Sequence, residues 1–137
     1  MHCVYLSLGT NMGWRKRNLL RAIRLIDERL GRVIKQSDIH ETDPWGYTSK
    51  RKFLNMCLEL ETTLTPEQLL DGCEQIEHEM GRTQKSANGV YCDRLIDIDI
   101  LLFDQLSVQT QRLSIPHPHM REREFVMIPL REILPNI

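Results

Sequence analysis

No apolar run in this sequence approaches the roughly 20 residues of a membrane-spanning helix. The first residues, Met1 to Leu8, lack the charged leader and long apolar stretch of a signal peptide. Charge of one sign is also missing. The formal net charge is -1, which excludes a bulk attraction to nucleic acid or to a membrane surface. Cysteine is sparse and unpaired in pattern: Cys3, Cys57, Cys73 and Cys92 form no CxxC and match no zinc spacing, so idle thiols in a reducing compartment are expected. Together these absences predict a cytoplasmic protein. There are no internal repeats and no linker. The 137 residues, 41% hydrophobic and 27% charged, predict one globular domain over 1–137 with one core.

What is present centres on residues 94–103. Ile96, Ile98 and Ile100 alternate with Asp97 and Asp99. A period of two sends the two residue types to opposite faces of a strand. The carboxylates then stand roughly 6.5–7 Å apart along the strand, at about 3.3 Å per residue. Asp is depleted in strands, and two facing carboxylates repel unless a cation lies between them. Mg²⁺ prefers such oxygens together with substrate phosphates. The pattern alone leaves a solvated strand face and a metal site both open.

Val4 to Leu8 reads as a buried first strand, and Gly9 to Gly13 as a connecting turn. Leu19, Ile23, Ile26 and Leu30 recur at helical spacing, with Gly31 as the stop. The facing stripe from Arg15 to Arg24 reads as solvated surface. Val33 to Ile39 is a second strand, Glu41 to Lys52 a turn-rich loop, and Phe53 to Glu61 a third strand. Thr65-Pro66-Glu67-Gln68 carries the marks of a capped helix start, with Leu69, Cys73, Ile76 and Met80 as its buried stripe and Gly81 as its end. Glu77 sits at the edge of that stripe and reads as facing solvent. A polar loop over 82–93 precedes the Asp97 strand. Leu106 to Val108 is a short strand and Arg131 to Leu134 a last helical turn. The order is βαββαβ, which is the ferredoxin-like α+β arrangement: an antiparallel sheet with helices on one face and an open cleft on the other.

Several segments then match one family in order and spacing. They are Leu8-Gly9-Thr10-Asn11, Glu41-Thr42-Asp43-Pro44-Trp45-Gly46, Phe53-Leu54-Asn55, Ile76-Glu77, Gly81-Arg82, Asp93 to Asp99, and Ile115 to Met120 with Arg123-Glu124-Phe125. The chain resembles the 6-hydroxymethyl-7,8-dihydropterin pyrophosphokinases of folate synthesis. The resemblance implies transfer of the pyrophosphoryl group of ATP to the pterin hydroxymethyl oxygen, with AMP leaving. It implies that Asp97 and Asp99 hold two Mg²⁺ ions and that Arg82 and Arg94 neutralise phosphate charge. For ATP it implies contacts from Arg82, Tyr91, Arg94, Ile100, Arg112, His117 and Arg123. For the pterin it implies Phe53 and Phe125 as flanking rings, Asn55 as the edge reader, and backbone groups of Thr42 and Trp45. By the same resemblance Glu77 lies near both sites instead of in solvent. Gln84 stands where members often carry a further arginine, with Lys85 beside it. No nucleic acid, membrane or protein partner is implied, and a monomer is expected. The alternative class, a ferredoxin-like module for single-stranded RNA, needs aromatics and basic groups on the sheet face; two carboxylates there argue against it.

Overall fold

The computed structural model describes residues 1–44, 50–81 and 95–137. The elements in chain order are β1 (His2–Thr10), α1 (Arg15–Arg29), β2 (Arg32–Gln36), β3 (His40–Thr42), β4 (Phe53–Thr62), α2 (Pro66–Glu79), β5 (Asp97–Phe103), β6 (Val108–Gln109), β7 (Ser114–Ile115), a 3₁₀ turn (Met120–Glu122) and α3 (Glu124–Ile133). β2, β4, β1 and β5 lie side by side in that order, β3 adds to β4, and every pairing is antiparallel. This is the expected ferredoxin-like topology, with β1 and β4 at its centre.

Alternation along the central strands decides what each face does. Val4, Leu6 and Leu8 of β1, Met56, Leu58 and Leu60 of β4, and Ile98 and Ile100 of β5 form one core with Leu19, Ala22 and Ile26 of α1 and Leu69, Cys73 and Ile76 of α2. Each such fully buried side chain contributes about 2 kcal/mol of transfer free energy. The capping box at the start of α2 is present: Thr65 Oγ1 accepts from Gln68 N–H at 3.2 Å, and Gln68 Oε1 accepts from Thr65 N–H at 3.0 Å. Gly81 ends that helix with φ +105°, a backbone angle that disfavours a side chain. Gly31 has a different reason to be glycine. A Cβ there would lie 2.3 Å from the Glu61 carbonyl oxygen, so close chain approach excludes a side chain.

The second face differs from the expectation of an open sheet. Tyr5, Cys57 and Leu101 pack there against Val126, Met127, Leu130 and Ile133 of α3. A third helix therefore covers one end of the face that α1 and α2 leave bare. The register of β1 and β5 slips between Tyr5 and Leu6, where Leu102 and then Ile100 are the partners. The extra residue, Leu101, lets Leu101 and Leu102 both meet the α3 cluster. Residues on the other side of the slip, Asp97 and Asp99, keep to the uncovered end. β3 also takes Glu41 and Thr42 from the segment read as loop, and β7 pairs with β6 where no strand is expected from the sequence.

Candidate active site

Among the described strands, β5 pairs with β1 alone and forms an edge of the sheet. Asp97 stands opposite Gly9 and Asp99 opposite Ser7. Both aspartates are partly exposed, while Ile96, Ile98 and Ile100 beside them are buried. The outward N–H of Ile98 donates to Oε2 of Glu77 at 2.8 Å. Glu77 is only 2% exposed, so the solvent-facing reading of its sequence position is wrong. The helical stripe predicts only an edge position for it. The tertiary partner, an unpaired strand N–H on the sheet edge, draws it inward.

The same register continues across β1 into β4. Gly9 is opposite Asn55 and Ser7 opposite Cys57. Asn55 and Asp97 therefore flank Gly9 on one row, two strand spacings or about 10 Å apart. Asn55 is 3% exposed, and its Nδ2 donates to Thr42 Oγ1 at 2.6 Å. A Cβ on Gly9 would stand 2.9 Å from Asn55 Oδ1 and 3.5 Å from the Phe53 ring. Glycine thus leaves room for both side chains to lean over β1. In the sequence Gly9 reads only as the start of a connector, because the side chains it makes room for lie on β4.

The turn after β1 is a fastener. Asn11 Nδ2 donates to the Arg51 carbonyl at 3.2 Å, and Arg15 Nη1 to the Lys52 carbonyl at 2.9 Å. Thr10 Oγ1 donates to the Leu95 carbonyl. Thr10 and Asn11 are 0% and 2% exposed, an unusual burial for polar turn residues. They tie down the segments that lead into β4 and β5, which carry Asn55 and Asp97. The second Arg15 nitrogen, Nη2, pairs with Glu41 at 2.9 Å. So Arg15, read as plain surface, also braces the segment that carries Thr42.

From the other side come the segment after β7 and α3. The backbone N–H of His117 donates to the Leu101 carbonyl at 3.0 Å, which holds this segment against β5. Nδ1 of His117 accepts from His119 N–H at 3.3 Å. A neutral ring then carries its proton on Nε2, the form suited to donate to a phosphate oxygen. Arg123 is 8% exposed with its guanidinium carbon 5.6 Å from the Phe125 ring centre, a cation–π distance. Phe125 packs beside the α3 cluster and lines a hollow of about 390 Å³ with Thr42, Asp43 and Pro129.

The structure thus brings Thr42, Phe53, Asn55, Asp97, Asp99 and Phe125 to one face. Two predicted ATP contacts are placed otherwise. The Ile100 side chain is 4% exposed in the core under the sheet, so only its backbone can meet a ligand. Arg112 donates through Nη2 to Asp71 and to Glu74, each at 2.7 Å, with Glu67 at 3.5 Å. The Asp71 and Glu74 carboxylates hold its guanidinium pKa above the usual arginine range. Contact with phosphate would require exchange of those exposed pairs, which such pairs permit because each is individually weak. Trp45, Arg82, Tyr91 and Arg94 lie outside the described residues, as do Gln84 and Lys85. Among the described residues no three His, Cys, Asp or Glu side chains cluster as a closed metal cage. Two carboxylates on an accessible strand face suit Mg²⁺, which is held by one or two carboxylates and otherwise by water and substrate phosphates. They do not suit a structural zinc.

Comparison with known proteins gives the family and the fold. The profile of the 7,8-dihydro-6-hydroxymethylpterin-pyrophosphokinase (HPPK) family matches residues 5–135. The chain is 46% identical over 136 residues to the 2-amino-4-hydroxy-6-hydroxymethyldihydropteridine pyrophosphokinase of Porphyromonas gingivalis, covering 98% of this chain and 92% of that one. It is 43% identical over 134 residues to the Bacillus subtilis protein of the same name, covering 97% and 78%. Among solved structures, a crystal structure of HPPK-DHPS in complex with substrates superposes with a TM-score of 0.79 at 16% identity, over 98% of this chain and 40% of that longer one. That likeness carries the fold, and the match over residues 5–135 together with the bacterial relatives carries the family. By its sequence, the chain belongs to the 7,8-dihydro-6-hydroxymethylpterin-pyrophosphokinase family.

Proposed function

We propose that this chain, as a single domain, transfers the pyrophosphoryl group of ATP to the hydroxymethyl oxygen of 6-hydroxymethyl-7,8-dihydropterin, a step of folate biosynthesis. The hydroxyl oxygen attacks the β-phosphorus of ATP. The bond from that phosphorus to the oxygen shared with the α-phosphorus breaks, AMP leaves, and the hydroxyl proton is released. The observation that carries the site assignment is the row Asn55–Gly9–Asp97 across three paired strands. It sets an amide that can both donate and accept about 10 Å from a carboxylate pair. That span suits a flat bicyclic ring whose far end carries the reacting hydroxyl.

Asn55 reads the pyrimidine-like edge, braced by Thr42, and Phe53 and Phe125 supply the ring faces. Backbone groups of Thr42 and Trp45 complete that edge by resemblance. Asp97 and Asp99 would hold Mg²⁺, two ions in the full complex, which would supply neutralisation of phosphate charge and Lewis-acid activation of the hydroxyl. His117 donates from Nε2 to a phosphate oxygen. Arg123, over the Phe125 ring, supplies a fixed positive charge to ATP. Arg82 and Arg94 are assigned by resemblance to charge neutralisation, Tyr91 and Arg112 to ATP, and the Ile100 contact to its backbone. Phosphoryl transfer of this kind needs positioning and charge neutralisation more than covalent chemistry.

A product assay tests the reading. With ATP, Mg²⁺ and the pterin, the expected nucleotide product is AMP, formed only when pterin is present. ADP would mean transfer from the terminal phosphorus and would overturn the reaction. Asp97→Ala and Asp99→Ala are each expected to fold and to lose about a hundredfold or more in kcat, the scale of removing one electrostatic group at a charged transition state. Chelation should abolish turnover and added Mg²⁺ restore it. Wild-type rates in either variant would remove the metal assignment.

A further inference from the structure

The end of α3 farthest from Phe125 is pinned to the strand that carries Thr42. Glu132 uses both carboxylate oxygens. Oε1 accepts from the Asp38 backbone N–H at 2.7 Å, and Oε2 lies 2.6 Å from Nε2 of His40. His40 opens β3, opposite Asn55, and Thr42 closes it, opposite Phe53. Phe125 and Glu132 are seven residues apart on one helix, close to two turns, so they project from the same side of α3. The hollow between helix and strand is lined by His40, Thr42, Phe125, Ile128 and Pro129.

Both elements are weak by themselves. β3 has three residues and hydrogen-bonds to β4. α3 has ten, with Pro129 inside it. Proline lacks the N–H that would close a helical bond to the Phe125 carbonyl. The spacing between Phe125 and the Thr42–Asn55 pair is therefore underdetermined by either element. The apolar packing of α3 on Tyr5, Cys57 and Leu101 holds the helix to β1, β4 and β5, and the two-oxygen grip of Glu132 adds a directional tie to β3 itself.

We propose that Glu132, with His40, is a positioning residue for the pterin subsite: its bridge from α3 to β3 sets the gap between Phe125 and the Thr42–Asn55 pair. The inference rests on the assignment of the pterin to Phe53, Asn55 and Phe125. Neither residue touches substrate, so its effect is read as pterin affinity and not as ATP affinity.

The experiment is direct binding of pterin and, separately, of Mg²⁺-ATP, with kcat at saturation, for Glu132→Ala, Glu132→Gln, His40→Ala and Phe125→Ala in the full chain. Glu132→Ala is expected to weaken pterin binding about tenfold, less than the roughly hundredfold that a misplacement of about 1 Å can cost. ATP affinity should stay within about twofold. Glu132→Gln, whose amide oxygen still accepts from Asp38, should recover most of the loss. His40→Ala, which keeps the Asp38 bond, should show a smaller shift in the same direction and serves if Glu132→Ala does not fold. Equal losses for both ligands, or a lowered melting temperature with both affinities intact, would mean a merely structural bridge and overturn the proposal. If Phe125→Ala weakens pterin binding while the Glu132 and His40 variants do not, the inference fails alone. If Phe125→Ala leaves pterin binding unchanged, the subsite assignment fails and this inference with it.

Discussion

At the scale of single residues, Gly9 is where the smallest change has the sharpest consequence. Its Cβ would meet Asn55 Oδ1 at 2.9 Å, closer than carbon and oxygen tolerate without movement. Asn55 is also held by Thr42 at 2.6 Å, so it has little room to retreat. Overpacking of this kind costs about 1–3 kcal/mol. Gly9→Ala should therefore fold with a lower melting temperature, and the displaced Asn55 amide should bind the pterin about tenfold more weakly, the scale of one lost hydrogen bond at about 1.4 kcal/mol. Calorimetric titration with pterin checks this, and unchanged affinity would mean that Asn55 does not read the ring edge. Asp97 and Asp99 were legible from the sequence because alternation with isoleucine is a local signal. The role of Gly9 was not, because its reason lies on another strand. Nor were Thr10 and Asn11, whose partners Leu95 and Arg51 are distant in sequence.

At the scale of elements, α2 and β5 act as a pair through Glu77. Removing its carboxylate leaves the buried Ile98 N–H without that partner. Glu77→Ala should cost about 2 kcal/mol of stability, in the range for orphaning a buried polar group. Turnover should fall as well, because Ile98 sits between the two aspartates. Glu77→Gln keeps an acceptor oxygen and should regain most of both. Urea unfolding with parallel kcat measurements decides; a stability loss with full turnover would separate Glu77 from the site. α1, α2 and the central strands were legible because their periodicity is long, and α2 also because its N-terminal capping box is explicit. α3 was legible only as a last helical turn over Arg131 to Leu134, since Pro129 argues against a continuous helix. β3 was hidden for a similar reason. Three residues carry no measurable period, and register with β4 alone makes them a strand.

At the scale of the whole molecule, the second sheet face is divided between stability and chemistry. α3 covers the end with Tyr5, Cys57 and Leu101, and leaves Asn55, Asp97 and Asp99 uncovered by that cluster. The βαββαβ order predicts two helices on one face but says nothing of how a C-terminal segment shares the other. The division has a consequence for pH. Burial pushes the Cys57 thiol up from 9.0 to about 12. Burial, and then the hydrogen bond donated to Glu59, raise the Tyr5 phenol above its usual value. In an unfolded chain both groups ionise at their ordinary values, while in the folded chain they stay neutral. Their contribution to stability is thus intact below about pH 9 and is lost as pH rises through the folded-state values. The melting temperature should decline from pH 9 upward. Cys57→Ala and Tyr5→Phe should each flatten that decline, whatever they cost near pH 7. A slope unchanged in both variants would place the alkaline weakness elsewhere than in the core beneath α3.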